Sequence, residues 1–206
     1  MLISIHPDNP NARGIAQVVE CLKDGGVIIY PTDTIYGIGC DIFQQKAVER
    51  IAKIKNVDLK KHKHSFICSS LSQLSDYSLP INRNVYKGMR KALPGPYTFI
   101  LKANNSVPKL FKTKKKTVGI RIPNHSIPQL LVEEIGNPIL TSSVHDEDTI
   151  IEYSTDPELI YERYKNKVDI VIDGGIGSLV PSTVIDCSKG NMVLVRQGLG
   201  KVEDLF

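Results

Sequence analysis

Residues 11–41 read NARGIAQVVECLKDGGVIIYPTDTIYGIGCD. Ile15, Val18, Val19 and Leu22 recur at i, i+3, i+4 and i+7, so the spacing predicts a helix over 11–24. Gly25-Gly26 stops it, because glycine ends a helix in the left-handed conformation without a Cβ clash. Val27-Ile28-Ile29-Tyr30 is then a short apolar strand, closed by Pro31. A helix passing through a tight stop into a buried strand is how a layered α/β domain is built.

The rest of the chain repeats this alternation. Ala47, Ile51 and Ile54 mark a second helix. Ser65 to Cys68 is a strand, Val85, Met89 and Ala92 mark a helix, and Pro94-Gly95-Pro96 ends it. Tyr97 to Leu101 and Thr117 to Ile122 are strands by residue type. A helix over Ser126 to Ile135 stops at Gly136, and Pro138 to Ser142 is a strand. Thr155-Asp156-Pro157-Glu158 has capping-box spacing with proline at a helix start. Val168 to Asp173, Thr183 to Cys187 and Met192 to Arg196 are strands, the last two joined at Gly190-Asn191. The expected architecture is a single α/β domain over 1–206 with a mixed sheet, since the final hairpin requires antiparallel pairing.

Composition narrows the function. The 206 residues are 41% hydrophobic and 23% charged, a globular balance long enough for a core without disulfides or metal. No apolar run approaches a membrane span, and the N-terminus lacks a signal-peptide core. Cys21, Cys40, Cys68 and Cys187 form no C-x-x-C pair and read as reduced thiols, so a cytoplasmic location is expected. The five histidines have no metal-ligand spacing, and no metal site is assigned. The net charge is +4, but lysines concentrate in two segments. Lys53, Lys55, Lys60, Lys61 and Lys63 lie in one; Lys112, Lys114, Lys115 and Lys116 lie in the other. They fit either an anionic partner such as nucleotide or RNA, or two solvated lysine loops.

Three segments could carry chemistry. PTDTIYGIGCD (31–41) leaves the end of a buried strand, offering hydroxyls from Thr32, Thr34 and Tyr36 and close backbone approach at Gly37 and Gly39. A tight turn with satisfied side chains is the alternative. Gly174-Gly175-Ile176-Gly177-Ser178 could cradle an anion or simply turn, and there is no Walker A sequence. Arg121 and Arg196 sit at strand ends, with Pro181-Ser182-Thr183 between them; arginine's planar fork suits a carboxylate or phosphate. No catalytic nucleophile or general base can be assigned. The chemistry suggested is positioning and charge neutralisation, as in nucleotidyl transfer.

Taken together, PTDTIYGIGCD (31–41), PGPYTFILK (94–102), VGIRIPNH (118–125), STVID (182–186) and VRQG (195–198) resemble the YrdC-like family, the threonylcarbamoyl-AMP synthases of tRNA modification. The resemblance implies a twisted mixed parallel/antiparallel sheet, flanked by helices, around a positively charged cavity. It implies formation of threonylcarbamoyl-AMP and pyrophosphate from L-threonine, bicarbonate and ATP, for delivery to adenosine 37 of tRNA by partner proteins. Mg²⁺ is expected with ATP, held mainly by phosphates and water. On the threonine side the resemblance places Thr32, Thr34, Tyr36 and Arg121; on the nucleotide side it places Lys53, Lys55, Ser142, Ser182 and Arg196.

This chain departs from the synthase pattern in two places. Lys-x-Arg reads Lys53-Ile54-Lys55, which keeps charge but loses a bidentate fork, and Ser-x-Asn reads Ser142-Ser143-Val144. His145-Asp146-Glu147-Asp148 follows where Ser-Gly is usual. These departures, with Ile5-His6-Pro7-Asp8-Asn9-Pro10, resemble the YciO-like branch of the family. The alternative expectation is therefore a double-stranded RNA- or tRNA-binding protein of the same fold with weak or absent synthase activity. Its contacts would come from Lys60, Lys61, Lys63, Lys114, Lys115 and Lys116.

Overall fold

The structure is a computed structural model, and it describes residues 1–58, 65–111, 116–144 and 155–205. Its strands are β1 (Leu2–Ser4), β2 (Ile28–Tyr30), β3 (Gly37–Asp41), β4 (Ser65–Ile67), β5 (Tyr97–Lys102), β6 (Thr117–Arg121), β7 (Ile139–Ser143), β8 (Ile170–Asp173), β9 (Thr183–Asp186) and β10 (Val193–Arg196). Its helices are α1 (Ala12–Lys23), α2 (Gln45–Ile54), α3 (Leu71–Ser75), α4 (Arg83–Ala92), α5 (Ser126–Ile135) and α6 (Pro157–Tyr164). The mixed α/β architecture is as the alternation predicts.

All ten strands join one sheet in the order β1-β8-β2-β3-β7-β4-β6-β5-β9-β10. β1, β8 and β2 run parallel; β2 to β3, β3 to β7 and β7 to β4 are antiparallel; β4 to β6 is parallel again. The β9–β10 hairpin is antiparallel, as its short turn requires.

Strand alternation sends side chains to two faces. Ile29, Ile38, Leu140, Phe66, Ile120, Phe99 and Ile185 point into the larger core, with Ala47, Val48 and Ile51 of α2, Val85 and Met89 of α4 and Ile160 of α6. Ile28, Tyr30, Ile67, Ile139, Ile170 and Ile172 point the other way, under Val18 and Leu22 of α1 and Leu131 of α5.

The caps explain the helix limits. Asn11 accepts from the Gly14 amide at 2.6 Å at the start of α1. Gly136, at φ 79°, closes α5 in the left-handed conformation. At α6 the cap lies one residue beyond the expected position: Asp156, not Thr155, accepts from Glu158 and Leu159. Proline at the first helical position forces this, because the residue before it is pushed into extended conformation, as an N-cap needs. β1, β3 and α3 were not expected from the sequence. β1 and α3 are too short for periodicity to show, and β3 carries two glycines that read as loop.

Candidate functional site

The site begins with a row of residues that share one face. Arg121, last in β6, pairs with Ile67 of β4, which pairs with Ile139 of β7. Two positions along β7, Thr141 lies opposite Gly39, and Ser143 lies opposite Gly37, the partner of Tyr30. The two glycines make room for Tyr30 rather than for a ligand. A Cβ at Gly39 would stand 2.2 Å from the Leu140 carbonyl oxygen and 3.0 Å from Tyr30 Cε1; at Gly37 it would stand 3.1 Å from Tyr30 Cζ. Under them the Tyr30 hydroxyl donates to Thr141 Oγ1 at 2.8 Å. Burial raises the Tyr30 pKa, while the Thr141 bond and the Arg121 charge pull the other way.

Residues 31–36 carry the chain from β2 to Arg121 and back to β3. Their hydroxyls are ordered by a proton count. Thr32 Oγ1 donates to the Ile35 carbonyl at 2.8 Å and accepts from the Thr34 amide at 3.0 Å. The Thr34 hydroxyl, 3.1 Å from Thr32 Oγ1, is therefore the donor of that pair. Arg121 Nη2 donates to Thr34 Oγ1 at 2.9 Å and to Asp33 Oδ1 at 2.8 Å. Asp33 Oδ2 accepts from the Asn124 amide at 2.9 Å, just before α5.

Arg121 is 8% exposed, and its Nε is buried with no partner among the described residues. Burial lowers its pKa; Asp33 acts in the opposite sense, and the charge of Arg196 adds to the lowering. A guanidinium stays protonated under these conditions, so the arrangement is a buried ion pair in which the Nε donor is left unmet among the described residues. Arg196 comes from β10, where its Nη2 donates to the Ser182 carbonyl at 2.9 Å. Ser182 Oγ lies 2.8 Å from Thr98 Oγ1 of β5, both buried. Thr34 thus bonds with Arg121 directly and Thr32 through Thr34, while Ser182 joins Thr98 to the exposed Arg196, whose charge is felt at Arg121.

The other candidates lie elsewhere. The Tyr36 hydroxyl is engaged on both sides, donating to the Gly175 carbonyl at 2.7 Å and accepting from the Gly174 amide at 3.2 Å. Its pKa is pushed up to about 12, chiefly by burial. The glycine turn after β8 is closed as an anion cradle. Gly174 is bonded to Tyr36, Gly175 donates to Asp173 Oδ1 at 3.0 Å, Gly177 to the Thr155 carbonyl at 2.8 Å and Ser178 to the Thr34 carbonyl at 3.2 Å. Ser142 pairs with Ile38 and so points to the face opposite Arg121. Lys53 is exposed in the last turn of α2, and Lys55 caps its C-terminus, half-buried. Val144 is wholly buried in the larger core. Lys60, Lys61, Lys63, Lys114 and Lys115 lie outside the described residues; Lys116 is exposed just before β6.

The model of the telomere recombination family, Sua5/YciO/YrdC, matches residues 20–198. The chain belongs to this family. It is 42% identical over 200 residues to the uncharacterized protein YciO of Escherichia coli K12, covering 97% of this chain and 96% of that protein. The crystal structure of E. coli YciO superposes with a TM-score of 0.90 at 40% identity, over 100% of this chain and 99% of the other. The threonylcarbamoyl-AMP synthase of Coxiella burnetii RSA 493 is 29% identical over 182 residues, covering 88% of this chain and 96% of its own. P. abyssi Sua5, crystallised in complex with L-threonine, superposes with a TM-score of 0.88 at 26% identity; this chain spans 99% of itself and 59% of that longer protein.

Around Arg121 and Ser182, sequence reasoning missed Asp33 and Thr98. Asp33 stands between two threonines already singled out, and a carboxylate beside a buried arginine is what charge compensation demands. Thr98 had a weaker signal: it is a hydroxyl inside the apolar run Tyr97 to Leu101, where only a bonded polar group is tolerated. Among the described residues no helix is long and apolar enough to cross a membrane, and no three His, Cys, Asp or Glu side chains gather as metal ligands.

Proposed function

We propose that this protein is a threonylcarbamoyl-AMP synthase. In this reading the amine of L-threonine takes up the carbon of bicarbonate as a carbamate, with loss of water. A carbamate oxygen then attacks the α-phosphorus of ATP, and pyrophosphate leaves. The observation that carries the reading is the buried Arg121 guanidinium, bonded to Thr34 and within reach of the Arg196 charge, whose Nε has no partner among the described residues. A buried cation with an unmet donor calls for an anionic ligand, and an amino-acid carboxylate fits.

Each residue has a task here. Arg121 holds the threonine carboxylate. Arg196 and Ser182 face the developing adenylate, where fixed donors lower the cost of charge moving from carbamate to phosphate. Among the described residues no three His, Cys, Asp or Glu side chains gather as metal ligands, so Mg²⁺ entering with ATP would be held mainly by phosphate and water oxygens and would supply charge neutralisation there. The product is delivered to tRNA through partner proteins, with the exposed Lys116 as a contact to phosphate.

The test is pyrophosphate release with ATP, Mg²⁺ and bicarbonate, with and without L-threonine, and mass spectrometry of the adenylate. Threonine-dependent release is expected from the intact protein. Arg121→Ala should lower it about 100-fold or more, as expected when a buried charge-assisted contact worth ~3 kcal/mol is removed. Absence of release by the intact protein, where a synthase relative turns over, would overturn the reading.

A further inference from the structure

Arg121 is held by a single nitrogen. Nη2 spends both of its protons inside the protein, one on Asp33 Oδ1 at 2.8 Å and one on Thr34 Oγ1 at 2.9 Å. The Asp33–Arg121 pair is buried on both sides, with each side chain 10% exposed. Among the described residues Nε has no partner, and Nη1 forms no bond. The chain of donors runs Arg121 to Thr34, Thr34 to Thr32 and Thr32 to the Ile35 carbonyl, so neither threonine hydroxyl has a proton left to give. Thr34 Oγ1 keeps one lone pair, so toward a ligand it can only accept.

We infer that Asp33 is a positioning residue of the amino-acid site, acting with Thr34 and Thr32 to fix the Arg121 guanidinium by Nη2 and leave Nη1 for the incoming carboxylate. The inference rests on the reading of the site as one that takes a free amino acid. Thr32 and Thr34 then act chiefly through Arg121 rather than by donating to the substrate. Asp33 is itself anchored: its second oxygen accepts from the Asn124 amide at 2.9 Å, which ties the guanidinium to the start of α5. A long side chain with four rotatable bonds would otherwise lose its rotamer freedom at the moment of binding, and a pre-set guanidinium avoids that cost. Compensation by one carboxylate also lets the cation stay buried before the ligand arrives.

The experiment compares the intact protein with Asp33→Asn, Asp33→Glu and Thr34→Val, each checked for a native thermal transition. Two quantities are read. The first is the discrimination between L-threonine and L-threoninamide, which lacks the carboxylate, by calorimetry. The second is the ¹⁵N-detected Nε–H signal of Arg121, assigned by its loss in Arg121→Lys, whose exchange with water needs no ligand. A positioning role predicts that Asp33→Asn lowers the discrimination about tenfold or more and speeds Nε–H exchange, that Asp33→Glu recovers part of both, and that Thr34→Val moves both in the same direction by less. Unchanged discrimination and exchange in Asp33→Asn would overturn the inference. So would tighter threonine binding in that variant, which would mark Asp33 as a competitor for Arg121. If the intact protein binds no L-threonine, the amino-acid reading fails. The exchange measurement then decides by itself whether Asp33 fixes Arg121.

Discussion

His125 shows how a single side chain can link the site to stability. It caps α5, with Nδ1 accepting from the Ile127 amide at 3.3 Å, and only a neutral ring has that lone pair. Burial lowers its pKa from the ordinary 6.5, and the nearby Asp33 carboxylate opposes the shift. The unfolded chain therefore binds the proton at a higher pH than the folded one. In the window below about 6.5 and above the lowered folded value, the unfolded state holds more protons, so stability rises with pH and is lost as pH falls. We expect thermal stability to decline on acidification through this window. His125→Asn keeps a capping side chain but cannot titrate, so it should remove that share of the decline. Melting curves of both proteins between pH 5 and 8 check this; identical pH slopes would deny His125 any part.

Single elements explain what the sequence revealed and what it hid. α1 and α5 were legible because burial on one helical face leaves a period of 3.6, and Asn11 and Gly136 mark their ends chemically. β3 was not legible. Its glycines look like loop, yet they are required because the Tyr30 ring and the Leu140 carbonyl occupy the space a Cβ would need. That constraint comes from strands far apart in the chain, so no local pattern records it. The site divides the same way. Arg121, Ser182 and Arg196 could be found as polar residues at strand ends, whereas the roles of Asp33 and Thr98 depend on contacts across the sheet. Gly39→Ala should destabilise the protein by about 2 kcal/mol, within the range for overpacking against backbone, and lower Tm by ~4–8 °C in a domain of this size. Gly190, at φ 85° with nothing within 4 Å of a new Cβ, makes the contrast. Gly190→Ala has only the strain of a positive φ to bear, so its loss of Tm should be smaller. Equal losses would mean that space at Gly39 is not what selects glycine.

At the scale of the whole molecule, the two ends of the sheet have different tasks. β10 leaves Val193, Leu194 and Val195 exposed at one edge. At the other edge β1 covers β8, with Leu2, Ile3 and Ser4 opposite Val171, Ile172 and Asp173, and Ile5 wholly buried beneath α1 and α5. Asp173 also accepts from Gly175, and the turn it begins reaches Thr34 through the Ser178 amide at 3.2 Å. β1 therefore supports, through β8, the turn that bonds Thr34, although none of its residues approaches Arg121 in sequence. Deleting residues 1–5 removes the burial of Ile5 and bares an apolar strand edge. The first loss alone is worth ~3 kcal/mol, or about 10 °C in Tm, and the bared edge should make the variant associate as its concentration rises. If the route from β8 to Thr34 holds, L-threonine binding should also weaken in the fraction that remains folded, at temperatures well below its transition. Calorimetric unfolding, sedimentation at two concentrations and threonine titration at 10 °C separate these effects. A truncated protein that melts like the intact one would show that β1 is dispensable to the sheet. One that melts early but binds threonine with unchanged affinity would show that the site is insulated from that edge.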